Sequence, residues 1–212
     1  MIMDIGSLLA TPFEIGSAQL TVGDTLGFIT GLLCVWLTAK ASIWNFAWAI
    51  VNSAILGVVF LDQRLFADSA LQIVFIVMSV QGWVQWAKGR SAALQGFRTT
   101  SLREQASLLA VAAALSLLLW ATLVQLRGSS PPVDAVITAL SLCAQWQLNR
   151  RQVASWVWWI AVDLVSVPLY WSRGLYLIAG LYVIFLAICV HGLSVWRKTQ
   201  GTPNKVCEAV PV

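Results

Sequence analysis

The chain has 212 residues, with 13 Lys+Arg against 9 Asp+Glu and a mean hydropathy of +0.79. Only 10% of its residues are charged and 59% are hydrophobic, whereas a soluble domain is roughly 25% charged. A water-soluble globule would need more polar surface, a disordered chain is apolar-poor and charge-rich, and a single His with few carboxylates disfavours ordinary enzyme chemistry.

Residues 1–23 carry no basic n-region, so they do not read as a cleaved signal peptide and form an N-terminal extracytoplasmic segment. Seven apolar blocks follow: Asp24–Lys40, Trp44–Leu61, Phe66–Ala87, Gln105–Leu126, Val133–Asn149, Val153–Trp171 and Leu175–Trp196. Each is near the roughly 20 residues that a helix needs to cross a bilayer core. They are apolar all round, without the alternation of a membrane barrel, so they predict helices. Most connections leave only a turn, which makes consecutive helices antiparallel neighbours. The exceptions are Lys88–Glu104 and Arg127–Pro132, where Pro131-Pro132 suits the start of the next helix. The tail 199–212 reads as cytoplasmic.

Basic residues fall unevenly on alternate sides. Ten, from Lys40 through Lys205, lie on one side, and Arg64, Arg127 and Arg173 on the other. The bias puts the ten in the cytoplasm, with the N-terminus outside and the C-terminus inside. The net charge of +4 then reflects anionic headgroups rather than nucleic acid. Cys34, Cys143, Cys189 and Cys207 sit singly and read as small packing residues. His191 has no metal-ligand cluster around it, and the sequence calls for no metal and no cofactor.

A shift of 110 residues overlays Asp24–Lys88 on Asp134–Lys198 without a gap, with 12 identities in 65 positions. They include Trp36/Trp146, Trp48/Trp158, Gly82/Gly192 and Trp86/Trp196. Each repeat, 24–88 and 133–198, holds three helices. An odd number ends on the far side of the membrane, so the helix within 89–132 must carry the chain back. The second repeat then enters in the same orientation as the first. The expected fold is therefore an all-α integral membrane protein of seven transmembrane helices. It is a 3+1+3 parallel repeat with a pseudo-two-fold axis along the membrane normal, an arrangement found among secondary transporters.

Polar residues inside the blocks mark candidate substrate contacts. Asp163 sits near the middle of the sixth helix, where an acidic group costs roughly 2.5–3.5 kcal/mol on insertion scales and must face protein or water. Trp156, Trp159, Ser166 and Tyr170 share its helical stripe. Asn52 and Trp48 share a face of the second helix. Gln72 lies on the third, Gln145 on the fifth and Tyr182, the repeat-mate of Gln72, on the seventh. The contrasting reading is structural, since Ser, Asn and Gln also join helices in membranes. Trp36, Trp83, Trp86, Trp146 and Trp196 lie towards helix ends and read as interfacial belt residues. Gly23, Gly27 and Gly31 form a small-residue series for close helix packing. Indole faces, amides and one carboxylate suit a flat, cationic ring joined to a hydroxylated group. No Lys or Arg lies deep in the blocks, which argues against a phosphorylated substrate.

Several motifs carry a family resemblance. FIVMSVQGWVQWAKG at Phe75–Gly89 resembles the GWxxW signature that ends the first repeat of nicotinamide riboside transporters of the PnuC type. SLCAQWQLNRR at Ser141–Arg151 is similar to their fifth-helix segment, and WVWWIAVDLVSVPLY followed by RGLYLIAGLYVIF, within Trp156–Phe185, to their sixth and seventh helices. The resemblance covers Gly23 to Lys198 and implies a fold related to SWEET sugar transporters. It implies a non-enzymatic carrier in the bacterial inner membrane. That carrier would take up nicotinamide riboside, an NAD precursor, by facilitated diffusion with alternating access. Thiamine or riboflavin stays open as the substrate, and so does homo-oligomeric assembly. A membrane enzyme or an assembly scaffold is the reading from another class, without a nucleophile–base pair or carboxylate pair to support it.

Overall fold

The computed structural model describes residues 5–9, 11–15, 18–63, 65–88, 96–125 and 131–200. It divides into two compact units, Met1–Lys88 and Gly89–Val212.

The first unit opens with features that the apolar blocks do not register. A short helix α1 (Ile5–Leu9) precedes an antiparallel hairpin of β1 (Pro12–Ile15) and β2 (Ala18–Thr21), in which Pro12 faces Thr21 and Ile15 faces Ala18. The hairpin delivers Thr21 as the N-cap of α2 (Val22–Ala39). The Asp24 amide donates to Thr21 Oγ1 at 3.1 Å, and the Thr21 amide donates to Asp24 Oδ2 at 3.0 Å. This reciprocal capping box satisfies two amides that the helix start would otherwise leave unpaired. Helices α3 (Trp44–Asp62) and α4 (Phe66–Lys88) complete the unit. The glycine series brings α2 close to α3: a Cβ at Gly27 would stand 2.8 Å from Leu56 Cδ2, and one at Gly23 would clash with Val59.

In the second unit, α5 (Leu102–Gln125) packs on α6 (Pro131–Asn149), α6 on α7 (Ser155–Ser172), and α7 on α8 (Tyr176–Lys198). Helix α5 starts three residues before the expected Gln105 and takes in Arg103 and Glu104, because Ser101 Oγ accepts from the Glu104 amide at 3.2 Å and caps the earlier turn. Helix α6 starts at Pro131, where proline's missing N–H is no loss. Pro168 lies inside α7.

Seven helices of 18–24 residues thus run through the described chain. Five of them (α2, α3, α4, α5 and α8) are long and apolar enough to cross a membrane. The less apolar pair, α6 and α7, carries most of the polar side chains considered below.

Positions 110 apart share local geometry. Ala41 and Arg151 both adopt positive φ, +54° and +56°, in the turns after α2 and α6. Lys40 lies over the Trp36 ring at 5.0 Å, and Arg150 over Trp146 at 3.9 Å. Phe46 meets Trp86 edge-on with centroids 5.1 Å apart, and Trp156 meets Trp196 likewise at 5.4 Å. These last contacts correct the interfacial-belt reading of Trp86 and Trp196. Both indoles are buried, because each fills the space between the second and third helices of its set.

Candidate functional site

A group of polar and aromatic side chains lies between α7 and α8. Helical spacing places Asp163, Ser166 and Tyr170 on one stripe of α7, at i, i+3 and i+7. On α8, Tyr182 and Cys189 are also seven residues apart. Asp163 is 3% exposed. Its side chain pairs with the Cys189 thiol, while Oδ2 is buried without a hydrogen-bond partner among the described residues. Ser166 is fully buried, and its hydroxyl faces Tyr182 without a close hydrogen bond among the described residues. The Tyr182 ring stacks on Tyr170 with centroids 5.2 Å apart and planes 18° apart, and meets Phe185 edge-on. A buried acceptor left unpaired costs about 1–3 kcal/mol, so Asp163 Oδ2 favours a donor or a cation.

The other expected residues of this unit have defined roles. Trp156 is buried over Gly192, where a Cβ would stand 2.5 Å from its ring. It also meets Trp196, on which Phe97 stacks at 4.1 Å. This is a packed aromatic column, in which the Trp156 ring is enclosed by its own neighbours. Trp159 is half-buried and packs against the core of Ala112, Cys143, Ala144 and Trp158. Gln145 is buried and donates to Asn149 Oδ1 at 3.1 Å along α6. Asp134, on the polar stripe of α6, pairs with Arg173 at 3.6 Å at the end of the helix.

In the first unit, the Asn52 amide nitrogen donates to the Gly27 carbonyl at 2.6 Å and to Thr30 Oγ1 at 2.9 Å, joining α3 to α2. Trp48 is 36% exposed on α3, and Gln72 is half-buried on α4 beside Gly57.

The structure therefore brings Asp163 and Tyr182 together and adds Ser166, Tyr170 and Cys189. Ser166 and Tyr170 were visible as the stripe of Asp163. Cys189 was not, since a lone cysteine in an apolar helix reads as packing. Its only signal was the seven-residue step from Tyr182.

Known proteins bear on the identity of this group. Residues 21–198 match the family described as "Nicotinamide mononucleotide transporter". The nicotinamide riboside transporter PnuC of Escherichia coli is 24% identical, the match covering 89% of this chain and 90% of that protein. The riboflavin/roseoflavin transporter RibM of Streptomyces davaonensis is 28% identical, covering 89% of this chain and 91% of that protein. A crystal structure of the vitamin B3 transporter PnuC shares the fold, with a TM-score of 0.67 and 22% identity over 82% of this chain and 80% of that one. With the family match spanning nearly all of the helical region, this multi-pass membrane protein belongs to the nicotinamide mononucleotide transporter family.

Proposed function

We propose that the protein takes up nicotinamide riboside by facilitated diffusion. It would do so through seven membrane-crossing helices in a SWEET-like 3+1+3 parallel repeat with alternating access. The observation that carries the substrate reading is the α7–α8 group. A buried carboxylate with an unpaired oxygen stands beside tyrosine rings and a serine hydroxyl. A pyridinium cation can be offset by the carboxylate and held by aromatic faces, and a ribose can exchange hydrogen bonds with the hydroxyls. The family's printed name specifies the mononucleotide, but this chain argues for the unphosphorylated form. In the seven long helices Lys and Arg occur only near the ends, as Lys88, Arg103, Arg197 and Lys198, and a phosphate would require such a group at depth.

Matched turns and ring contacts 110 residues apart support the repeat. The basic-residue bias supports an inner-membrane orientation with the N-terminus out and the C-terminus in. The protein is a carrier rather than an enzyme on this reading, with the lipid bilayer and a small molecule as its partners. Riboflavin is the second reading, favoured by the likeness to RibM.

The test is a binding panel on purified protein: nicotinamide riboside, its phosphate, nicotinamide, thiamine and riboflavin. The expected result is binding of the riboside with at least a tenfold preference over its phosphate. Equal affinities for the two would refute the reading, and riboflavin binding alone would move the assignment to the second one. Labelling of a cysteine placed at Ser91, in a Cys207→Ser background, tests the orientation. An impermeant reagent should reach it only after the inner membrane is permeabilised.

A further inference from the structure

Helix α5 is more than the strand of chain that returns the polypeptide across the membrane. Only a stripe of it is covered: Glu104, Gln105, Leu108, Ala112, Leu115, Ser116, Leu119 and Leu123 are buried or half-buried, while its other described positions are exposed. At the head of that stripe, the Trp158 indole N–H donates to Gln105 Oε1 at 2.9 Å. Gln105 Nε2 in turn donates to Gln147 Oε1 at 3.0 Å, and Gln147 is fully buried. The chain Trp158–Gln105–Gln147 therefore crosses three helices. Trp158 is 6% exposed and packs on Ala112, Cys143 and Ala144, with Trp159 against the same core.

The first unit has no such arrangement among its described residues. Trp48, 110 residues before Trp158, is 36% exposed, and the counterpart of Gln147 is the apolar Leu37. Gln105 lies outside the two overlaid segments, Asp24–Lys88 and Asp134–Lys198. The same tryptophan is thus loose in one repeat and locked in the other, and the lock is a single glutamine on the linker helix.

We propose that Gln105 is a positioning residue for the substrate site: by holding the Trp158 indole it fixes the rotation of α7, and with it the angles at which Trp159, Asp163 and Ser166 are presented. Gln105 touches no substrate. The proposal rests on the reading that Trp159 and Asp163 do.

The test is transport kinetics in proteoliposomes with nicotinamide riboside, alongside melting temperatures of the same preparations. Gln105→Leu should raise KM about fivefold, the worth of one typical hydrogen bond, with Vmax little changed. Gln105→Glu retains an acceptor for Trp158, and the buried Gln147 Nε2, unpartnered among the described residues, can turn to donate to it, so KM should return to within about twofold. Trp158→Phe removes the same donor. The double variant Gln105→Leu/Trp158→Phe should be no worse than Gln105→Leu alone, since the Trp158–Gln105 bond is lost in each.

A lower melting temperature with unchanged KM in Gln105→Leu would reduce the bond to helix packing and overturn the proposal, as would additive losses in the double variant. Trp159→Ala and Asp163→Asn, run in parallel, separate the two levels. If they lose affinity and Gln105→Leu does not, only the positioning role falls. If none of the three loses affinity, the site reading falls and takes the proposal with it.

Discussion

The two three-helix sets share helix lengths, turns and ring contacts, yet they treat their buried polar groups differently. In the first unit those groups tie backbone and helices together. Asn52 donates twice to α2, Ser69 Oγ donates to the Gly57 carbonyl at 3.0 Å, and Asn45 closes on the Ser42 carbonyl at 2.6 Å. In the second unit, Asp163 Oδ2, Ser155 Oγ and Trp156 Nε1 are buried without a hydrogen-bond partner among the described residues. Position by position, Ser53 faces the role of Asp163, Leu56 that of Ser166, and Gln72 that of Tyr182. The second unit pairs some of its polar groups, through Gln145–Asn149 and Trp158–Gln105–Gln147, and leaves these others unpaired among the described residues. Sequence symmetry therefore does not imply symmetry of recognition, and the second repeat is the better candidate for reading the ligand.

The strongest attack on that contrast is steric. Gly192→Ala would drive a methyl into the rigid indole of Trp156 and should destabilise the protein by about 1–3 kcal/mol. Gly27→Ala meets only the end of the Leu56 side chain, which can rotate away, and should cost less. Gly180→Ala, with open space around it, is the neutral control. Melting temperatures of the three variants rank them, and equal losses at Gly27 and Gly192 would show that the two sets tolerate crowding alike.

A chemical attack comes next. Asp163→Asn should weaken a cationic riboside about tenfold, near 1.4 kcal/mol, while a neutral isostere loses less. Isothermal titration with both ligands reads the difference, and equal losses would exclude a role for the charge.

Asn52→Ala sharpens the other side of the comparison. It removes two bonds between α3 and α2 and should lower stability by about 1 kcal/mol, with the affinity of the folded fraction held within about twofold. An affinity loss larger than the stability loss would return Asn52 to the binding site.

The smallest effect belongs to the turns. Ala41→Gly relieves a left-handed residue and should stabilise by at most about 1 kcal/mol. Arg151→Gly should gain less, because the Arg151 side chain makes interactions of its own that glycine would lose. Chemical denaturation of both variants tests the order.

Much of this was legible in the chain itself. Charge-free runs gave the seven helices because the bilayer imposes their length and composition. The ring contacts Phe46–Trp86 and Trp156–Trp196 were foreshadowed by tryptophans at positions 110 apart. The hairpin at Pro12–Thr21 escaped because two four-residue strands leave no periodic signal beside blocks of about 20 apolar residues. Trp86 and Trp196 were misread because proximity to a helix end does not reveal which way an indole turns. The Asp163 stripe was readable from spacing along one helix, whereas its pairing with Cys189, and that of Trp158 with Gln105, depends on the approach of separate helices. No period within a single segment encodes that approach.

Helices α6 and α7 stand outside the five long helices that are apolar enough by themselves to cross a membrane, α6 through its amides and α7 through Asp163 and its tryptophans. They are also consecutive, joined by a tight turn at Arg150–Ala154. During biosynthesis neither helix has a strong reason to leave the insertion machinery for lipid by itself, and an acidic residue at mid-span weakens the case for α7 further. Entering together as a hairpin lets each cover the polar face of the other. Helix α5, made just before them and strongly apolar, is already there to receive α6. The side chains suited to recognising a cargo are then those that make their own helices the hardest to deliver, and substitutions towards polarity in this pair should show first as lost protein in the membrane rather than as lost transport.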